Sequence, residues 1–281
     1  MDTENLTTTI DEAIDGGLEW LNDHGADLFD AFRSVLDGVY HAIAWVLLTP
    51  PFYVTALLIG ILGWRAVSLR FGITATIGLL FCAVMGLWPE TMATLALVLA
   101  ASVLALLIAV PLGIVAGFSP RLNGALLPVL DMIQTLPPYI YLLPAVALMG
   151  FGPATALAAT IIVAVPPALR LTAHGIRLTP HNFIELGQAS GSSFAQMFVK
   201  IRLPFAMPSI MAGVNQCLMM AFGMVVIAGI VGSGGLGATI YDAVRTLQIG
   251  KSIDAAIAIV ILTMILDRIT EGAVRDAREA A

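Results

Sequence analysis

The amino-acid sequence predicts an all-α polytopic membrane protein with about seven transmembrane helices, and three observations predict it. Of the 281 residues, 59% are hydrophobic and only 11% are charged, whereas an ordinary soluble domain carries about 25% charged residues. Mean hydropathy is +0.94, and the apolar residues fall in blocks near the ~20 that cross a ~30 Å hydrocarbon core. The 26 Gly, 12 Met and 12 Phe are spread along the chain rather than alternating at every second position, which argues against an outer-membrane barrel. A soluble single-domain enzyme is disfavoured by the same composition. Helices that satisfy their own backbone are the remaining architecture.

The elements follow in order. Residues 1 to 40 hold ten acidic groups (Asp2, Glu4, Asp11, Glu12, Asp15, Glu19, Asp23, Asp27, Asp30 and Asp37) against Arg33 alone. Ile14, Leu18, Leu21, Leu28, Phe29, Phe32, Val35, Leu36, Val39 and Ile43 recur mostly at steps of three and four, which predicts an amphipathic helix lying on an interface. The segment has no basic start followed by an apolar stretch, so it is not a cleaved signal peptide. Residues 39 to 48 are apolar but too short to span, and Pro50 and Pro51 stop them. Seven spanning candidates follow, at about 51–67, 71–88, 92–118, 124–150, 153–174, 207–231 and 252–270. Trp64 and Trp88, near segment ends, suit an interfacial aromatic belt.

Charge orients these spans. Arg65, Arg70, Arg121, Arg170, Arg177, Lys200, Arg202, Arg268, Arg275 and Arg278 share one side, leaving Arg33, Arg245 and Lys251 on the other. The positive-inside rule then puts the N-terminus outside and the C-terminus in the cytoplasm, with the longest inward-facing loop at about 175 to 206.

Several chemistries find no support. Cys82 and Cys217 lie far apart in apolar runs, with no metal or disulfide spacing. No basic face exists for nucleic acid. Gly232-Ser-Gly234-Gly-Leu-Gly237 matches GxGxxG but follows a spanning helix rather than a strand, and reads as a mobile extracytoplasmic turn. Gly250-Lys251-Ser252 lacks the glycine a P-loop needs, because Arg245 stands there. His24, His41, His174 and His181 have no metal-ligand spacing, and no serine sits in a GxSxG elbow.

The inward loop runs Glu185-Leu-Gly-Gln-Ala-Ser-Gly191, then nine residues, then Ile201-Arg-Leu203-Pro204. Gly191 splits two short helical stretches and Pro204 ends the second, which makes a compact elbow able to seat in a groove of another protein. This spacing resembles the EAA loop of ABC importer permeases, although Leu186 and Gly187 stand where the family has two alanines. Leu130-Asp131-Met-Ile-Gln134-Thr135-Leu-Pro137, Tyr141-Leu-Leu-Pro144 and Gly150-Phe-Gly152 resemble the fourth spanning region of the glycine betaine, proline betaine and choline importers. Met211-Ala-Gly213-Val-Asn215-Gln216, Gly234-Gly235-Leu236-Gly237 and Leu266-Asp267-Arg268 extend the resemblance over roughly residues 88 to 270.

The resemblance implies a bacterial inner-membrane permease subunit with a type I ABC importer core, taking up a quaternary amine in osmoprotection or nutrient uptake. Two copies of the chain would form the pore. A cytoplasmic ABC ATPase dimer, holding ATP and Mg, would supply energy, and an extracytoplasmic binding protein would deliver substrate. The chain itself would hydrolyse nothing. In these terms it divides into an arm over 1–48, peripheral transmembrane helices over 49–88, the permease core over 89–270 with its coupling loop at 180–206, and a cytoplasmic tail over 271–281. Glu185, Gly191, Ile201, Leu203 and Pro204 would couple to the ATPase. Asp131, Gln134, Thr135, Pro137, Tyr141, Asn215 and Gln216 are the candidates for the translocation path.

Asp131 is the most informative of these, since an aspartate near a helix centre costs about 2.5 to 3.5 kcal/mol on insertion scales and faces protein or water. Gln134 and Thr135, three and four residues on, share its face. Pro137 and Pro138 break the helix and free carbonyls that need partners. A contact of Asp131 with a quaternary ammonium competes with an intersubunit or interhelical hydrogen bond, which is the more common role. At the level of whole function, an ion-coupled secondary transporter using Asp131 stays open, but it leaves the 185–204 elbow without a role.

Overall fold

The computed structural model describes residues 3–279, with side-chain surroundings from Glu12 to Gly272 except Ile14. Asp2, Glu4, Asp11, Ile14, Arg275 and Arg278 lie outside the described side chains. Every regular element among the described residues is helical.

Helix α1 (Thr3–Leu48) is one unbroken run of 46 residues, about 69 Å long at 1.5 Å per residue. Residues 39–48, too short to span by themselves, are the last turns of this one helix, which no proline interrupts before Pro50. Its C-terminal part buries Leu36, Tyr40 and Ala44 in the main core, against the helices Trp88–Phe118, Leu142–Met149 and Pro153–Arg177. Upstream, Trp20 and Leu28 stay 59% and 71% exposed, so most of the arm reaches beyond the bundle. The stretch Asp15–Leu48 is long and apolar enough to cross a membrane.

Helices α2 (Phe52–Ala66) and α3 (Leu69–Val84) form a tight hairpin of 15 and 16 residues. At about 22 and 24 Å each falls short of a ~30 Å hydrocarbon core. The hairpin is close because small residues face each other: a Cβ on Gly72 would lie 2.6 Å from the Gly60 carbonyl oxygen. The end of α12 packs on the hairpin tip, where Gly272 meets Ala66.

Helices α4 (Trp88–Phe118), α7 (Pro153–Arg177) and α10 (Leu203–Ala228) make the central bundle. Small residues carry the contacts, as expected where lipid removes any hydrophobic drive between helices. Gly113 faces Leu169 and Thr172, Gly117 faces Ile176, and Gly213 faces Ala168. Helix α12 (Ile249–Glu279) and the short amphipathic α11 (Gly235–Arg245) complete it.

Two spans differ from expectation. The stretch 124–150 is not one helix but α5 (Pro120–Thr135), a 3₁₀ turn (Pro138–Tyr141) and α6 (Leu142–Met149), bent by 105°. Leu136 takes an extended ψ of 141°, the conformation that a following proline enforces. The run that ends near residue 231 begins at Phe194, so the elbow and α10 are continuous. Among the described residues five helices are long and apolar enough to cross a membrane, one of them the Asp15–Leu48 stretch that was not among the seven candidates, or six if the bent pair counts as one span; the count of seven is not confirmed.

In the glycine run 232–237, Gly232 and Gly234 are exposed while Ser233, Leu236 and Gly237 are buried. Gly232, Gly234 and Gly235 have φ near +70°, a region open to glycine at little cost. The Leu236 N–H donates to Thr94 Oγ1 at 2.8 Å, fixing α11 to α4.

Candidate coupling elbow and polar elbow

The inward loop folds into two limbs. Helix α8 (His181–Ala189) ends where Gly191 takes φ +68°, which costs other L-residues about 1–2 kcal/mol. Its N–H donates to the Gln188 carbonyl at 3.0 Å, and the Ser192 N–H donates to that of Gly187 at 2.9 Å, closing the orphan carbonyls of the helix end. A capping box, Ser193 with Gln196, starts α9 (Phe194–Met197). Gly191 therefore splits two helical stretches, as its position in the sequence suggests.

Pro204 does not end the second stretch. A π-helical segment, Phe198–Arg202, leads straight into α10, and Pro204 sits in the first turn of α10. Proline has no N–H and crowds the carbonyl four residues back, here Lys200; the widened π turn accommodates both effects.

Within the elbow, Ile201 and Met197 occupy the space above Gly187: a Cβ there would lie 2.8 Å from Ile201 Cδ1 and 2.6 Å from Met197 Cε. The glycine that departs from the EAA pattern is thus the seat of Ile201. Leu203 packs with Ile176, Ala206 and Ile210. Glu185 is exposed, and its Oε1 lies 3.2 Å from His181 Nε2. Leu186, Phe194 and Val199 are 63%, 72% and 56% exposed, an apolar surface on the outside of the elbow.

The tie to the bundle was not legible in the sequence. The Phe118 ring at the end of α4 lies 5.2 Å from that of Phe194 and 5.9 Å from that of Phe198, and the Arg202 guanidinium sits 4.8 Å above it. Phe183 of α8 meets Phe205 of α10 at 4.9 Å. The elbow is thereby joined to two central helices at once.

The polar elbow lies at the break between α5 and α6. Asp131, Gln134, Thr135 and Pro137 are all exposed, while Asp131 Oδ1 meets Arg170 Nη2 of α7 at 2.6 Å. Thr135 donates to the Met132 carbonyl at 3.1 Å. The Tyr141 hydroxyl donates to the Ile133 carbonyl at 2.9 Å, satisfying one acceptor freed by the break. Asn215 is not part of this cluster: its Oδ1 accepts from Thr270 Oγ1 of α12 at 3.2 Å. Gln216 is exposed on α10.

Arg170, read from the sequence as a charge beyond the membrane, stands seven residues inside the end of α7. The signal was its apolar flank, Ala168-Leu169 and Leu171, since an arginine within a span needs a counter-charge. A further missed contact is Asp37 of α1, whose Oδ1 accepts from the Ala154 N–H at 3.0 Å. It caps α7, where a carboxylate satisfies an orphan donor and the positive end of the helix dipole.

Residues 109–278 match the model of the binding-protein-dependent transport system inner membrane component family. The glycine betaine/proline betaine transport system permease protein ProW of Escherichia coli is 38% identical over 96% of this chain and 76% of its own length. The glycine betaine transport system permease protein OpuAB of Bacillus subtilis is 36% identical over 92% of each, and the glycine betaine/carnitine transport permease protein GbuB of Listeria monocytogenes is 37% identical over 95% and 94%. Two inward-facing structures of the MetNI methionine ABC transporter share the fold, with TM-scores of 0.59 and 0.63 at 22% and 21% identity; they cover 66% and 68% of this chain and 93% and 95% of theirs. A family match over more than half of the residues, and relatives similar along nearly the whole chain, show that this protein belongs to the binding-protein-dependent transport system inner membrane component family.

Proposed function

We propose that the chain is the permease subunit of an ATP-driven importer for glycine betaine or a related solute such as proline betaine, carnitine or choline. Two copies enclose the path, an ATPase dimer holding ATP and Mg docks on the elbow, and an external binding protein delivers the solute. The observation that carries this reading is the continuous helical run from Phe194 into α10. A push on the exposed limb passes into a central helix without a flexible joint, the requirement for rigid-body coupling to alternating access. Relatives named for betaine transport support the substrate class. An ion-coupled carrier built on Asp131 is not favoured, because the chain belongs to a family whose members serve binding-protein-dependent systems.

The arm over 1–48 is extracytoplasmic or interfacial upstream and enters the bundle where Leu36, Tyr40 and Ala44 pack, the hairpin within 49–88 is peripheral, the core runs over 89–270 and the tail over 271–281 is cytoplasmic. The distribution of Lys and Arg supports this orientation. Glu185, Gly191, Ile201, Leu203 and Pro204 form or anchor the docking elbow. Asp131, Gln134, Thr135, Pro137, Tyr141, Asn215 and Gln216 line the path, Asn215 being held by Thr270 of α12.

Co-purification from gently solubilised membranes tests the assembly: a P-loop ATPase at one copy per chain is expected, and a chain that is active alone sinks the proposal. Gly191→Pro and Glu185→Lys should insert normally yet abolish ATP-driven uptake in proteoliposomes. Normal uptake by both variants removes the elbow from coupling.

A further inference from the structure

We propose that Asp131 and Arg170 form a transient site for a zwitterionic solute inside the path, with Arg170 taking the carboxylate and Asp131 facing the trimethylammonium group. This rests on the betaine reading above and adds Arg170, which neither the motifs nor the family match single out.

The setting is polar where lipid cannot be the neighbour. Asp131, Gln134 and Thr135 are exposed on α5, and a carboxylate within a spanning region faces water or protein rather than acyl chains. Tyr139, 58% exposed, and the ring of Tyr141 stand on the same elbow. The pair is short, 2.6 Å, yet the Asp131 side chain stays 61% exposed and that of Arg170 31% exposed. An ion pair this open exchanges partners readily.

The chemistry of each group fits one end of a betaine. Arg170 presents a planar fork suited to a carboxylate. Its one side-chain hydrogen bond among the described residues uses Nη2, which leaves other guanidinium N–H donors for a carboxylate. A quaternary ammonium has no N–H to donate, so it is held by Coulomb attraction and aromatic faces rather than by hydrogen bonds. Asp131 supplies the first, and Tyr139 and Tyr141 supply the second.

Charge balance then sets selectivity. The pair is neutral as a unit and so is a betaine, so exchange leaves no uncompensated charge at the site. A bare cation such as choline would occupy Asp131 and strand Arg170, which is costly. Arg170 thus converts a carboxylate that would accept any quaternary amine into a site that prefers the zwitterion.

The test uses Gln134→Cys, one helical turn from Asp131, in permease reconstituted with its ATPase but without binding protein. Both native cysteines, Cys82 and Cys217, are buried, so a small methanethiosulfonate reagent reports on the new thiol. Glycine betaine at twice its dissociation constant should slow modification roughly threefold, and choline at the same concentration should slow it less. Arg170→Gln should reverse that order, whereas Arg170→Lys, which keeps the charge, should preserve it. Protection by neither solute, an unchanged order in Arg170→Gln or a reversed order in Arg170→Lys overturns the proposal. Uptake with ATPase and binding protein is measured separately. Its absence in the unmodified protein sinks the importer reading, whatever the thiol reports.

Discussion

Proline behaves differently in two regions of this molecule. In the central bundle, Pro111 of α4, Pro166 and Pro167 of α7 and Pro208 of α10 all lie inside helices that continue past them. At Pro137 and Pro138 the chain turns by 105°. The residues are alike, but their surroundings are not. Pro111 sits between the buried Ala109 and Gly113, and Pro166 between the buried Ala164 and Ala168, so contacts on both sides hold the two halves in line. From Gln134 to Ile140 every residue is exposed, and nothing opposes the break. Proline weakens a helix by removing a hydrogen bond; packing decides whether the weakness becomes a bend.

The comparison predicts where substitutions act. The largest effect belongs in the bundle. Gly113→Val would place a Cβ 2.7 Å from Thr172 Cβ and 2.8 Å from the Leu169 oxygen, and overpacking of a tight contact costs about 1–3 kcal/mol or more. The thermal midpoint in detergent should fall well below that of the unmodified protein; an unchanged midpoint would mean that the bundle is not held by close approach.

The polar elbow should respond in function instead. Pro137→Ala with Pro138→Ala lets α5 run on, so uptake should fall by at least about tenfold, a barrier change near 1.4 kcal/mol, while the midpoint stays put. Full uptake would show that the bend is incidental.

Smaller effects sharpen the contrast at the borders. Asn215→Ala removes one interhelical hydrogen bond between α10 and α12, worth about 0.6 kcal/mol in a membrane, and a modest drop in midpoint is expected. Gly187→Ala meets only the flexible ends of Met197 and Ile201. It should be nearly neutral for stability, and combined with Ile201→Val it should be neutral altogether; strong loss in the double variant would refute the packing account of this departure from the EAA pattern.

Much of this arrangement was legible in the sequence, and the gaps have physical causes. The helical class, the elbow split at Gly191 and the break at Pro137 follow from local chemistry: hydropathy, a glycine able to take positive φ, and a proline restricting its predecessor. What escaped notice depends on distant partners. Pro204 read as a stop because proline usually is one, and only the π turn upstream absorbs it. Arg170 read as an outside charge because its counter-ion lies 39 residues earlier. Phe118 gave no periodic signal, since its role arises where α4 ends beside the elbow. The seven-span count is not confirmed, for two reasons: α2 and α3 are apolar but short, and the stretch Asp15–Leu48 of α1, left out of the seven, is itself long and apolar enough to cross.

The cap that Asp37 places on α7 has a bearing on biosynthesis. The two partners are 117 residues apart, and at a synthesis rate of roughly 5–20 residues per second the acceptor waits about 6 to 23 s for its donor. During that interval the arm is already made, while the helix it will cap has not yet left the ribosome. An earlier element is therefore secured by a later one, and a chain halted before residue 154 would leave its long acidic helix without that anchor.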